Sequence, residues 1–216
     1  MRRLARATCF FICLVSFIIA VPVVLSGNLR SAYVIAIYTK LGKIWPHEYA
    51  IVGDSLARDC SWPFNLGKPL STAVLVQGGS GLRDAARQVV SSRAMGAQYL
   101  FISTGLNDII LRHDPVDQIA YNVDFLFQQI QAGQKALVSL IPYVADGAFA
   151  PAIDAANTII ADKAKQRGFA ILDLNKVLGS TAGVRRPAMT ADGVHLSGLA
   201  CDAWIAAVKT ELARLP

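Results

Sequence analysis

At 216 residues, with a net charge of +6 and 54% hydrophobic residues, the chain has room for one domain of ordinary size. Arg2, Arg3, Arg6 and Arg30 are the only charged residues up to position 30, so the rest of the chain carries +6 less 4, or +2. So small a remaining charge excludes nucleic acid as a partner, and the three histidines and four cysteines nowhere adopt metal-ligand spacing.

Residues Cys9 to Leu25 run for seventeen residues without a charge behind Arg2, Arg3 and Arg6. Basic residues ahead of an apolar run predict a cytoplasmic N-terminus and export of the chain beyond the run. The run is short for a bilayer-spanning helix and long for a signal peptide, and Val24-Leu25-Ser26 is a poor cleavage site. Residues 1–30 are therefore read as a retained anchor, with a cleaved signal as the alternative, and 31–48 as a connector broken at Pro46. The expected location is the cell membrane, single-pass through residues 9–25, with residues 49–216 on the extracytoplasmic side; cleavage would make the protein secreted.

From there the chain alternates. Tyr49 to Val52 predicts a first strand that stops at Gly53 and delivers Ser55 into a short helix over Leu56 to Cys60. Thr72 to Val76 is a second, β-branched strand bounded by Gly78, Gly79 and Gly81. Arg83 to Met95 is a helix stopped at Gly96, and Tyr99 to Ser103 a third strand that ends in Gly105-Leu106-Asn107-Asp108. Pro115 opens a helix running to Gln131, with Ile119, Val123, Leu126, Phe127 and Ile130 on its apolar face. Ala136 to Ile141 and Phe169 to Leu174 are the fourth and fifth strands, with a helix over Ile153 to Gln166 between them. A loop from Asn175 to Ala191 leads to a last helix over Ser197 to Leu215. Strands that alternate with helices throughout imply a parallel sheet covered on both faces, with chemistry at the C-terminal strand ends.

Four short sequences sit at such ends or just before the last helix, and each has an ordinary reading. Asp54-Ser55 and Asn107-Asp108 suit helix caps, Gly78 to Gly81 a tight turn, and Asp192-Gly193-Val194-His195 a turn. Taken together they fit acyl chemistry. A serine hydroxyl needs a base, and a histidine base needs a carboxylate to fix its tautomer. Asp192 and His195, three residues apart, can share one side of a turn. A developing oxyanion needs fixed donors, which the Ser55 N–H, a glycine N–H after the second strand and the Asn107 amide can supply.

With these four blocks the chain resembles the SGNH, or GDSL-type, hydrolase family, through Gly53-Asp54-Ser55-Leu56, Ser80-Gly81, Gly105-Leu106-Asn107-Asp108 and Asp192-Gly193-Val194-His195, over roughly residues 49 to 212. The resemblance implies a three-layer α/β/α, flavodoxin-like fold with a parallel five-stranded sheet, here preceded by an N-terminal hydrophobic helix. It also implies a serine esterase with Ser55 as nucleophile, His195 as base and Asp192 as orienting carboxylate. Ser55, Gly81 and Asn107 would form the oxyanion hole, and no cofactor or metal is needed. The second block departs from the family's pattern at Val76 and Leu82-Arg83, which leaves Gly79 as an alternative to Gly81.

In that arrangement the helices carrying Cys60 and Cys201 both start at the site, so the two cysteines are candidates for a disulfide, with two free thiols as the alternative. The loops 61–71, 143–150 and 175–191 are the expected pocket walls, and Tyr143 and Phe149 either line the pocket or pack in the core. His47 and His113 read as surface or connector residues, and Arg185-Arg186 as solvated or in contact with an anionic substrate group. The leading function is hydrolysis of short acyl esters, such as acetyl, on a cell-envelope carbohydrate. The alternatives are acyl transfer to a glycan and a non-catalytic binding module.

Overall fold

The computed structural model describes residues 46–60 and 71–214, together with Tyr33 and Ile37. The apolar run 9–25, nearly all of the connector and the pocket wall expected over 61–70 lie outside the described residues. Among the described residues no helix is long and apolar enough to cross a membrane.

Five strands, β1 (Tyr49–Gly53), β2 (Thr72–Val76), β3 (Tyr99–Ser103), β4 (Lys135–Ser139) and β5 (Ala170–Leu172), form one parallel sheet in the order β2-β1-β3-β4-β5. Consecutive strand residues point to opposite faces, and Ala50, Ile51 and Val52 in β1, like Leu100, Phe101 and Ile102 in β3, are all buried. Both faces are therefore covered, which gives the three layers that the alternation implies. The helices are α1 (Ser55–Arg58), α2 (Leu82–Ala94), α3 (Leu106–Ile110), α4 (Val116–Phe127), α5 (Ala150–Gln166), α6 (Leu174–Val177) and α7 (Gly198–Leu212). Helix α2 packs on β1 and β2 and against α4, which in turn packs against α5; α7 packs on β5 and α6. Trp204 of α7, fully buried, meets Phe101 of β3 edge to face at 5.5 Å. A buried side chain of that size contributes about 2–3 kcal/mol by area alone, so α7 is anchored to the sheet centre.

Three predicted elements run shorter than their apolar patterns, for visible reasons. Helix α4 stops at Phe127, and Ile130 packs on the core from the turn beyond it. Strand β4 stops at Ser139 because the side chain of Asn157 takes both the N–H (2.7 Å) and the C=O (2.9 Å) of Ile141. Strand β5 ends at Leu172 because Asp173 caps α6, accepting from the N–H groups of Asn175 and Lys176. The loop expected over 175–191 therefore begins inside a helix and also holds a 3₁₀ turn at Pro187–Met189. The strand order reverses between β1 and β3, and the crevice at their C-terminal ends is where this fold places ligands.

Candidate active site

The first strand ends under unusual constraint. A Cβ on Gly53 would lie 2.3 Å from the Ser103 carbonyl oxygen of β3, so only glycine fits there. Its N–H donates to Gln88 Oε1 (2.8 Å), and its carbonyl accepts from Gln88 Nε2 (3.1 Å), Ser80 Oγ (3.0 Å) and Gln77 N–H (3.1 Å). Gln88 and Ser80, both buried, thus fix the backbone one residue ahead of the Asp54-Ser55 pair. Asp54 caps α1 by accepting the Leu56 N–H at 2.9 Å, so the capping reading of this stretch holds alongside the chemical one. Asp54 is 1% exposed, and burial pushes its carboxyl up to about 7, assisted by the nearby Asp108. Ser55, the first residue of α1, has an N–H with no acceptor inside the helix.

The candidate acid–base pair, Asp192 and His195, arrives on a turn far along the chain. Asp192 Oδ1 accepts the N–H groups of Val194 (3.0 Å) and His195 (2.7 Å), folding the turn back on itself. Its Oδ2 lies 2.7 Å from His195 Nδ1, and His195 Nε2 lies 3.2 Å from Ser55 Oγ. A carboxylate only accepts, so the proton sits on Nδ1 and Nε2 is left to take one from the serine. The bond from the His195 ring, with the two backbone N–H groups, holds the Asp192 carboxyl well below the usual carboxylate range. The structure therefore brings Ser55, His195 and Asp192 into one chain of hydrogen bonds.

Ser55 and His195 open into a cleft of about 440 Å³, walled by Leu56, Leu106, Ile110, Leu111 and Val194 and floored by Gly78, Gly79 and Asn107. Asn107 is buried and donates from Nδ2 to the Ser80 carbonyl (2.8 Å), which leaves its second amide hydrogen uncommitted. Gly81 does not line the cleft: its N–H donates to Asp84 Oδ2 at 3.0 Å, and it is Gly78 and Gly79 that line it. Gly79 sits at φ +72°, and Arg112 holds its carbonyl at 3.0 Å while also pairing with Asp84.

The remaining expectations divide. Tyr143 hydrogen-bonds Asp154, which pushes its hydroxyl up to about 12, and packs against the core with Phe149; neither lines the cleft. The cleft walls come from α1, α3 and the turn 192–195 rather than from 143–150 or 175–191. His47 is buried and donates its N–H to the Met95 carbonyl, whereas His113 is exposed. Arg185, read from the sequence as solvated or substrate-facing, is 1% exposed and lies outside the cleft lining. Cys60 and Cys201 form a disulfide with Cα atoms 5.4 Å apart, tying the turn that follows α1 to α7, the helix beyond His195. Among the described residues no group of three or more His, Cys, Asp or Glu side chains is placed to hold a metal ion.

The fold has solved counterparts. A GDSL-like lipase from Bacteroides thetaiotaomicron superposes with a TM-score of 0.68 at 15% identity, covering 83% of this chain and 98% of its own. The lipase/acylhydrolase from Enterococcus faecalis gives 0.66 at 17%, with 79% and 97% covered. A carbohydrate esterase family 3 protein from Talaromyces cellulolyticus gives 0.64 at 18%, with 78% and 97% covered. At these identities the likeness speaks for the fold. No curated protein matches the chain in sequence. The model of the GDSL-like lipase/acylhydrolase family, however, matches residues 47–201, from the buried His47 through the turn bearing Asp192 and His195 to the second half of the disulfide. On that match the chain belongs to the GDSL-like lipase/acylhydrolase family and is a hydrolase of ester bonds.

Proposed function

We propose that the protein is a serine esterase that removes short acyl groups, such as acetyl, from a cell-envelope carbohydrate through an acyl-enzyme on Ser55. The observation that carries this reading is the unbroken relay from Asp192 Oδ2 to His195 Nδ1 (2.7 Å) and from His195 Nε2 to Ser55 Oγ (3.2 Å) in the lining of the cleft. His195 takes the Ser55 proton as Oγ attacks the acyl carbon, and Asp192 stabilises the imidazolium that forms. The oxyanion is met by the Ser55 N–H and the free Asn107 amide hydrogen, with the Gly78–Gly79 turn in the place expected of Gly81; each such donor contributes about 3 kcal/mol to the barrier. His195 then gives its proton to the leaving alcohol. Water, activated by the same ring, releases the acid and restores Ser55.

A cleft lined by Leu56, Leu106, Ile110, Leu111 and Val194 beside the polar Arg58 and Asn107 offers an apolar side to a short acyl chain and a polar side to the alcohol. The fold's likeness to a carbohydrate esterase supports a sugar as that alcohol. A basic N-terminus ahead of an uncharged run, with a disulfide in the domain, supports anchoring by residues 9–25 and an oxidising compartment outside the membrane. The test is acetate release by the full chain from p-nitrophenyl acetate and from acetylated envelope polysaccharide, beside Ser55→Ala. The serine variant should lose at least about a thousandfold in kcat. Equal rates for the two proteins would overturn the reading, and acyl appearing on an added glycan instead of as free acid would make the enzyme a transferase.

A further inference from the structure

Arg185 is among the largest fully buried side chains, and no step of acyl transfer from Ser55 uses it. Its Nη1 donates to the Val194 carbonyl at 2.6 Å, the residue immediately before His195. Among the described residues its Nε and Nη2 have no hydrogen-bond partner, and no carboxylate forms an ion pair with it. Burial draws its guanidinium down to about 10, opposed by the charge of Asp192. A buried cation with two idle donors costs several kcal/mol, so a role in packing alone is a poor account of it.

Its placement supplies a better one. The Arg185 N–H donates to the Val144 carbonyl (3.1 Å), and the Ala145 N–H donates to the Gly193 carbonyl (2.8 Å), so the segment after β4 and the turn 192–195 are laced together around it. On the other side of the base, the His195 carbonyl accepts from Thr190 Oγ1 (2.8 Å) and the Ala191 N–H (3.0 Å). The peptide before His195 is thus held by a buried charge and the one after it by neutral donors. We infer that Arg185 is a positioning residue for the Asp192–His195 pair: its buried guanidinium fixes the Val194 carbonyl, and with it the peptide that aims the base. The inference rests on His195 being the base.

The experiment compares the full chain with Arg185→Gln and Arg185→Lys by thermal unfolding, by kcat and KM on p-nitrophenyl acetate, and by the proton NMR resonance of the Nδ1–H of His195, one of only three histidines. In Arg185→Gln that resonance should shift or broaden as the ring loses its alignment with Asp192, and kcat should fall by roughly tenfold to a hundredfold at an unchanged KM. Arg185→Lys, which restores a charged but shorter donor, should recover part of both. An unmoved resonance and an unmoved kcat in a folded Arg185→Gln protein overturn the inference. If that variant does not fold, Arg185→Lys decides: a several-fold loss of kcat at an unchanged KM upholds the inference, and a wild-type kcat overturns it. The resonance needs no turnover, so failure of the wild type to hydrolyse ester would sink the functional reading separately.

Discussion

Asp54 and Asp192 each lie within three residues of a reacting group, one beside Ser55 and the other beside His195, and their surroundings are opposite. Asp54 is 1% exposed, enclosed by the end of β1 and the buried Asp108, and its carboxyl is pushed up. The Asp192 side chain is 54% exposed, and three hydrogen bonds hold its carboxyl down. The nucleophile's half of the site is thus an extension of the core, fixed by Gln88, Ser80 and the close approach of Gly53 to Ser103. The acid–base half is an outlying turn, held by its own hydrogen bonds and by a few long-range ties at Arg185, Ala145 and Cys201. Changes in the first half, Ser55 itself aside, should therefore appear as stability, and changes in the second as rate.

The largest effect should come from Asp192→Asn. The amide still accepts the backbone N–H groups of Val194 and His195, so the turn keeps its shape and Tm should barely move. The ring, however, loses the acceptor that holds its proton on Nδ1, and kcat should fall by about 10⁴. A variant that unfolds readily or keeps its rate would break the division between the two halves. Next in size is the disulfide, the tie that crosses between them. It spans 141 residues, and loop-closure entropy alone sets its contribution at about 5 kcal/mol. Replacing Cys60 and Cys201 together by alanine should lower the denaturant midpoint accordingly. It should also lower kcat, because α1 and α7 then hold Ser55 and His195 without a covalent link. A double variant with full activity would show that the core alone aligns the three residues.

The nucleophile's half was also the more legible in sequence, and for the same reason. β1, β2 and β3 are each short apolar runs that end at glycine or a polar turn, and their lengths follow from local pattern. The Asp192–His195 spacing was equally plain, because a turn of four residues places the two side chains together whatever surrounds it. What could not be read were partners distant in the chain. Gln88 looks like a solvated helix residue until Gly53 is set beside it, and Arg185 looks solvated until the Val194 carbonyl and Val144 enclose it. The Gly81 N–H, the expected oxyanion donor, is engaged for a local reason, since Asp84, three residues on, accepts it. That signal, an acidic residue at the third helical position, was present in the sequence.

The smallest effect concerns the buried carboxylate itself. Asp54 has a folded value of about 7 against an ordinary value near 4, so across that window the folded chain holds a proton that the unfolded chain has released. Stability must then fall as pH rises from about 4 to 7, by at most about 1.4 kcal/mol per unit and about 4 kcal/mol in all, and less where Asp54's surroundings relax. Asp192 contributes with the opposite sign and in a lower window, since its depressed carboxyl loses its benefit only as pH falls below the ordinary carboxylate range. Asp54→Asn keeps a side-chain oxygen to cap Leu56 and has no proton to lose. Its stability should match the wild type near pH 4 and exceed it at pH 8, when each is measured by urea unfolding at several pH values. Some slope will persist from Asp108, which burial also pushes up. Parallel curves for the two proteins from pH 4 to 8 would show that Asp54 ionises freely, and the contrast between the two aspartates would then be one of position only.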